Sequence, residues 1–305
     1  MLDLCKLLLL RELHARGTVA AVAEALSFTP SAVSQQLAQL QREAGVALTE
    51  KVGRRLQLTD AGLRLVAHAD ALLARVEEAE AELQSAAGAV FGRLRIASLQ
   101  TPMLALVAPA IRDLSRAHPQ VRVEVVEMEP ERALPALALG TLDLVVAEEY
   151  PDEPRRVHPE LVGEELCGDG IIVALGADHR LERSGEQVRI ADLAGEAWVS
   201  PHAETQFARM QLRTCRTVGG FEPDVRHWAN DLAVLIALIA QDQGVGLLPM
   251  LGHADRAEGI ATRQIADASL VRTINAYTRR SVQSRPAILA MIDTLLGVAA
   301  AQGLR

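Results

Sequence analysis

Three periodicities divide this chain. Between Leu4 and Leu40 apolar residues return every three or four positions, first as Leu4, Leu7, Leu10 and Leu13, then as Val22, Ala23 and Leu26, then as Ala32, Val33, Leu37 and Leu40. That spacing predicts three short amphipathic helices. Thr18 is placed to cap the second, and Thr29 followed by Pro30 suits the N-cap and first position of the third. After Gly45-Val46-Ala47-Leu48, residues 50–59 (EKVGRRLQLT) alternate around Gly53, the pattern of a two-stranded hairpin. From Thr59 to about Ala87 a helical period resumes without proline, placing Val66, Ala69, Leu73, Val76, Glu80, Leu83 and Ala87 on one coiled-coil seam. Such a helix would be roughly 40 Å long, more than a small domain can cover, so self-association is expected, the alternative being a helix packed on its own downstream domain.

Beyond Gly88 short apolar strands alternate with helical stretches, which predicts an α/β region. Strands are expected at 94–97, 121–127, 142–147, 170–175, 197–200, 223–227, 245–248 and 271–277. Helices are expected at 101–117, 131–139, 202–214, 231–241 (capped by Asn230) and 286–300. The chain would cross to a second subdomain and back, giving two lobes around a hinged cleft. The domain reading is 1–58 for the helices and hairpin, 59–88 for the linking helix, and 89–305 for the α/β region. Its lobe I comprises about 92–162 and 269–305, and its lobe II about 163–268.

The third helix carries Ser31, Ser34, Gln35 and Ala38 opposite its apolar face, short or amide side chains suited to base edges and phosphates in a major groove. Lys51, Arg54 and Arg55 stand at the hairpin tip, where cations neutralise phosphates. Taken alone, the helices could be an ordinary helical hairpin facing water. With the hairpin they point to double-stranded DNA, contacted through Thr29, Pro30, Ser31, Ser34, Gln35, Lys51, Arg54 and Arg55.

In order and spacing, the leucine helix, AAVAEAL from Ala20, SAVSQQLAQL from Ser31, Gly45-Val46, Gly53-Arg54-Arg55 and Leu58-Thr59-Asp60-Ala61-Gly62 resemble the winged helix-turn-helix of LysR-type transcriptional regulators over residues 1–62. Thr49 stands where that family usually has a large apolar residue, and Gln41 where it has glutamate. Pro30 and Gln35 replace common glutamine and arginine, which concerns the bases read. Gly92-Arg93-Leu94-Arg95-Ile96, Gly140-Thr141-Leu142-Asp143-Leu144 and Gly244-Val245-Gly246-Leu247-Leu248-Pro249 resemble the family's effector domain, of the periplasmic-binding-protein kind. The resemblance implies α/β architecture with an N-terminal winged helix-turn-helix, a long dimerising helix and a two-lobed effector domain. It also implies promoter DNA and a small-molecule effector as partners, a homodimer or homotetramer, possible contact with RNA polymerase, and a cytoplasmic site of action.

Composition agrees with this and excludes alternatives. The chain has 305 residues, half of them hydrophobic, and a net charge of -8. Residues 1–64 hold eight basic and six acidic side chains, so a mildly basic reader adjoins an acidic body. Leu7–Leu10 is followed at once by Arg11 and Glu12, which suits a buried helix better than a signal peptide, and no membrane partner is expected. Cys5, Cys167 and Cys215 lack metal-ligand spacing; a peroxide sensor could use the last two, though buried inert cysteine is the usual case. No phosphate loop, nucleophile elbow or metal pair suggests an enzyme, and neither metal nor cofactor is expected. A plain solute receptor would not explain the hairpin.

In a two-lobed domain ligands bind where strands end and helices begin. This places Ser98, Gln100 and Thr101 after the first strand, Met128 and Glu129 after the second, Glu148 after the third, and Ser200 and His202 in the other lobe as effector contacts. Ser98, Thr101 and His202 could equally be helix caps. Glu129, Glu148 and Glu149 hint at an amine-bearing ligand. Effector identity, operator and target genes are not written in the sequence.

Overall fold

The computed structural model describes residues 1–52, 55–86, 90–181, 185, 187–252 and 257–304, with only the backbone described at Val52 and Arg55. Two compact units divide at Ala89. In the first, α1 (Leu4–Arg16), α2 (Val19–Ala25) and α3 (Pro30–Ala44) precede a hairpin of β1 (Thr49–Val52) and β2 (Arg55–Leu58), then α4 (Asp60–Ala86). The expected caps form: Thr18 accepts from Ala21 N and Thr29 from Ala32 N, each at 3.2 Å. Leu7, Leu10, Leu13, Val22, Val33, Leu37 and Leu40 meet in one core. Leu4 is exposed, and Leu26 and Ala32 are only half-buried.

Gly45 ends α3 in the left-handed region at φ +70°, which glycine adopts without steric cost. Just beyond it, the Gln41 side chain folds over the turn, its Oε1 accepting from Leu48 N (2.9 Å), Thr49 N (3.0 Å) and Thr49 Oγ1 (3.3 Å). Two of the four departures from the family pattern, Gln41 and Thr49, are therefore each other's partners. Gly62, in the first turns of α4, lies so close to Leu48 that a Cβ there would sit 2.2 Å from the Leu48 carbonyl oxygen. Thr59 caps α4 at Gly62 N and donates to Ala47 O. The start of α4 is thus clamped to the root of the hairpin.

The coiled-coil seam needs correction. Val66 and Ala69 are buried in the helical core, and Leu73 is half-buried. The apolar line that α4 exposes is Leu72, Val76, Ala79 and Leu83, with heptad spacing and Ala79 in the place expected of Glu80. Ala87 lies outside the described residues.

The second unit begins with β3 (Gly92–Ser98), α5 (Gln100–Pro102), α6 (Ala108–Ala117), β4 (Val121–Glu127), α7 (Pro130–Ala138), β5 (Leu144–Glu149) and β6 (Leu161–Gly176). It continues through β7 (Gln187–Val188), β8 (Ala197–Ser200), α8 (Gln206–Thr217), β9 (Asp224–Trp228), α9 (Leu232–Ala240), β10 (Gly246–Pro249), β11 (Ile260–Ile265), β12 (Val271–Arg279) and α10 (Pro286–Ala301). The main sheet runs β4-β3-β5-β12-β6-β11-β7, with β10 also on β6. β3 is parallel to β4 and β5, while β12 runs antiparallel between β5 and β6. β6 serves both lobes: Leu161–Gly170 pairs β12, and Ile171–Gly176 pairs β10 and β11. The lobe boundary expected at about 163 falls inside this strand. One core gathers Leu94, Ile96, Leu106, Leu144, Ile274 and Met291; another gathers Val173, Trp198, Phe207 and Leu247.

The helix expected at 101–117 is interrupted. Met103–Val107 forms a π turn, with Ala108 N bonding Met103 O. Pro109 has no N–H for the carbonyl four residues back, and Gln302 Nε2 donates to that Ala105 carbonyl instead at 2.7 Å. The helix expected from 202 begins at Gln206 behind the N-cap Thr205, and α9 is capped by Asp231 rather than Asn230. β11 and the 161–169 part of β6 were not expected, because Glu164, Glu165 and Gly168 interrupt the apolar alternation there.

Gln41→Ala should destabilise the first unit by about 1–3 kcal/mol, since two backbone N–H groups lose their acceptor. Gln41→Glu should be tolerated, because a carboxylate accepts the same donors. Thermal unfolding of the chain variants, followed by circular dichroism in the helical band, separates the two. Equal stability of the alanine variant would show the turn does not depend on this side chain.

Candidate nucleic-acid interface and effector cleft

On α3 the inner face is Val33, Leu37 and Leu40, all buried, and Thr29, Pro30, Ser31, Ser34 and Gln35 are exposed around the first two turns. Pro30 at the first helical position lacks an N–H, and the Thr29 hydroxyl bonds Ser31 Oγ at 3.0 Å, so the N-terminal turn is ordered by its own residues. Lys51 is exposed on β1. Arg54 lies outside the described residues, as does the Arg55 side chain. Across the helices, Lys6 pairs with Glu43, whose carboxyl is held below its usual range by that hydrogen bond.

The second unit holds a cleft between its lobes, with about 510 Å3 of empty space including its mouth. Gln100, Thr101, Glu129, Glu148 and Arg272 line one side. Thr205, Phe207, Asn230, Leu232, Leu235, Leu247 and Leu248 line the other. Four of the eight expected effector residues are brought together here: Gln100, Thr101, Glu129 and Glu148. The other four do not line it. Ser98 is buried with its hydroxyl on Leu99 O, and Met128 packs against the Leu134–Tyr277 core. Ser200 is buried and its neighbour Pro201 lines the cleft in its place. His202 is exposed, its N–H donating to Asn230 Oδ1 while its carbonyl accepts from Thr205. His202 opens no helix, because Thr205 supplies the cap.

At the back of the cleft lies Arg272, a residue sequence reasoning missed. Its Nε donates to Asp169 Oδ2 (2.8 Å), Nη1 to Glu148 Oε2 (2.5 Å) and Nη2 to Thr101 Oγ1 (2.6 Å), while the guanidinium carbon lies 5.9 Å from the Phe207 ring centre. Asp169 turns its other oxygen to Leu251 N. A signal existed: Arg272 shares strand parity with Ile274 and Ala276, so a cation stands where a buried apolar residue belongs. Burial pushes the Glu148 carboxyl up from its ordinary pKa, opposed by Arg272.

Several polar links cross between lobes, among them Glu153, which accepts from Arg209 (2.8 Å) and Arg213 (3.0 Å) of α8. Gln100 Nε2 donates to Asp231 Oδ1 (3.2 Å) and its Oε1 accepts from Leu232 N (2.8 Å), so one lobe helps cap a helix of the other. Arg155 donates to Glu131 (2.9 Å) and to Gln206 (2.8 Å). Glu149 is not in the cleft; it accepts from Tyr277 Oη and Asn275 Nδ2. Cys167 and Cys215 are buried and burial pushes their thiols up to about 11 and about 12, the state of inert cysteine rather than of a reactive thiolate. Among the described residues no helix is long and apolar enough to cross a membrane.

Glu129 is pushed up to about 7, first by burial and then by the carboxylates Glu148, Glu131 and Glu127, with Arg155 opposing. Its folded pKa exceeds its unfolded one, so the native state binds this proton more tightly. The resulting stability is complete below the unfolded value of 4.5 and is lost as pH rises through about 7. Glu129→Gln should remove that part of the pH dependence and leave the variant more stable than the parent at pH 8. Parallel urea titrations at pH 5 and pH 8 measure it; identical pH dependence in both proteins would show Glu129 titrates normally.

Comparison with known proteins places both units. The bacterial regulatory helix-turn-helix protein, lysR family, matches residues 4–63, and the LysR substrate binding domain matches residues 87–300. HTH-type transcriptional regulator TfdS of Cupriavidus pinatubonensis is 29% identical over 258 residues, covering 83% of this chain and 84% of that protein. ClcR of Pseudomonas putida is 27% identical, covering 76% and 78%. Among solved structures, a full-length OxyR variant from Pseudomonas aeruginosa has a TM-score of 0.72 at 20% identity, covering 97% and 95%. Full-length CbnR complexed with its target DNA has a TM-score of 0.57 at 20% identity, covering 98% and 100%. With a helix divided into a buried and a polar face in one unit, a lined cleft in the other and a family match along nearly its whole length, this chain belongs to the LysR family of DNA-binding transcriptional regulators with an effector-binding domain.

Proposed function

We propose that Ser31, Ser34 and Gln35 read base edges in the major groove of promoter DNA, with Thr29 and Pro30 at the helix entrance and Lys51, Arg54 and Arg55 on the backbone. The observation that carries this is the division of α3 into a fully buried face and a polar exposed face of small side chains. Two copies pair along α4 through Leu72, Val76, Ala79 and Leu83, because apolar side chains of this size left exposed at heptad spacing gain from mutual burial. Leu72 is 46% exposed, Val76 38% and Leu83 73%. A two-fold pair of readers matches a two-fold operator, as a homodimer or as a homotetramer of two such pairs. The protein acts in the cytoplasm, where promoter DNA is, and on RNA polymerase if it activates. A small-molecule effector binds in the cleft lined by Gln100, Thr101, Glu129 and Glu148 and favours one lobe arrangement over another, which is what a switch requires.

The domain reading follows: 1–58 reads DNA, 59–88 pairs the copies and 89–305 binds the effector. The alternative position for the effector, nearer Ser98, Met128, Ser200 and His202, has less support, since none of these lines the cleft.

Alanine at both Ser34 and Gln35 should weaken operator binding by about 1–3 kcal/mol for each good base interaction removed, with folding unchanged. Gel-shift titration against the DNA upstream of its own gene measures this, and undiminished binding would remove that face from the interface. Aspartate at both Leu72 and Val76 should give monomers by light scattering while far-ultraviolet circular dichroism stays at the parent's value. If the parental mass persists, the copies pair elsewhere.

A further inference from the structure

Opposite its buried face, α3 carries one stripe of residues: Ser31, Ser34, Gln35, Ala38 and, a heptad beyond Gln35 and so within about 20° of its direction, Arg42. Arg42 is the one cation of this helix. An arginine on a helix surface is ordinarily matched by a carboxylate three or four residues away, but those places hold Ala38, Gln39, Gly45 and Val46. The adjacent acid, Glu43, is taken by Lys6 and Gln39. Elsewhere in the helical core charges are paired off, Arg11 and Arg16 on the buried Glu12. Arg42 is exposed, and among the described residues its side chain makes no hydrogen bond or ion pair.

Two physical arguments aim this charge at DNA. A long helical side chain leans back over the preceding turn, and here that turn carries Ala38, too small to obstruct it, so the guanidinium is directed toward the Gln35 end of the stripe. A reading helix turns its first residues to base edges and leaves the groove toward its end, so a position roughly 10 Å beyond Gln35 is where the sugar–phosphate backbone flanks it. The stripe carries no carboxylate to repel a phosphate, and its serines and amide supply no charge of their own to attract one.

We infer that Arg42 binds a backbone phosphate of the promoter duplex where α3 leaves the groove, a contact additional to those of the first turns and the hairpin. This rests on the reading of α3 as the DNA-reading helix.

The test is a salt series of binding titrations on the full chain, with Arg42→Gln, Arg42→Lys and the Ser34 and Gln35 alanine pair, against the DNA upstream of its own gene and an unrelated duplex of equal length. Arg42→Gln should reduce the slope of log K against log salt by about 0.9 for each copy bound, which at about 0.1 M salt is roughly an eightfold loss of affinity per copy, equal for both duplexes. Arg42→Lys should keep the parental slope, because a phosphate accepts either cation. An unchanged slope in Arg42→Gln overturns the assignment, and if its melting temperature falls instead, the charge serves the helix end. A loss confined to the upstream DNA also overturns it, since only a base contact depends on sequence. So does a lysine variant as weak as the glutamine variant. If the alanine pair weakens binding to the upstream DNA while Arg42→Gln leaves both duplexes unaffected, the reading of α3 stands and the phosphate contact falls. If neither changes binding, both fall.

Discussion

The buried guanidinium of Arg272 is the constraint on which the effector domain depends. A cation enclosed in protein is tolerated only when its charge and its donors are all matched. Meeting that demand draws Glu148 from β5, Asp169 from β6 and Thr101 from the turn after β3 onto one group on β12. Those elements form the floor of the cleft. Asp169 in turn fixes Leu251 N beyond β10, so the network reaches the segment that follows the other lobe's strand. The guanidinium is thereby committed to groups of its own chain, two of which, Thr101 and Glu148, also line the cavity.

The links between lobes follow a different logic. Gln100, Arg155 and Glu153 make polar contacts that can be exchanged without exposing a core, whereas Arg272 cannot be released without stranding two buried carboxylates. Lobe movement is therefore expected to turn on these exchangeable contacts and to leave the Arg272 floor intact. Gln100 lines the cavity and caps α9 at once, so occupancy of the cleft and the seating of that helix are physically connected.

Much of the first unit was legible in the sequence because its determinants are local. Thr18, Thr29 with Pro30, and Gly45 act within a few residues of where they stand, and helical spacing identified Val22, Val33, Leu37 and Leu40 as core. The seam on α4 was misread because the first half of the stripe is consumed at home: Gly62 is pressed on Leu48, Val66 and Ala69 join the core, and the line left outside shifts to Leu72 and Ala79. In the second unit strands such as 121–127 and 197–200 were readable from apolar runs. Long-range matches were not. Nothing near Arg272 in sequence announces Glu148 or Asp169, and Thr205 rather than His202 caps α8 because a turn from His202 to Thr205 separates β8 from the helix. The interruption at Met103–Val107 had a visible cause in Pro109, whose missing donor was open to inspection. Gln41 and Thr49 show the same limit in miniature: each is a departure alone, and only the fold reveals that they bond to one another.

The most direct measurement is a double-mutant cycle between Arg272 and Glu148. Trp198 and Trp228 both lie in the second unit, so tryptophan fluorescence during urea unfolding reports on that unit. Arg272→Met should cost about 3–5 kcal/mol by leaving carboxylates buried and unpaired. Combined with Glu148→Gln, it should cost less than the two single changes summed, by more than about 1 kcal/mol. Additivity within about 0.5 kcal/mol would contradict the account, since it would mean the guanidinium is not held by the carboxylate that the cleft is built around.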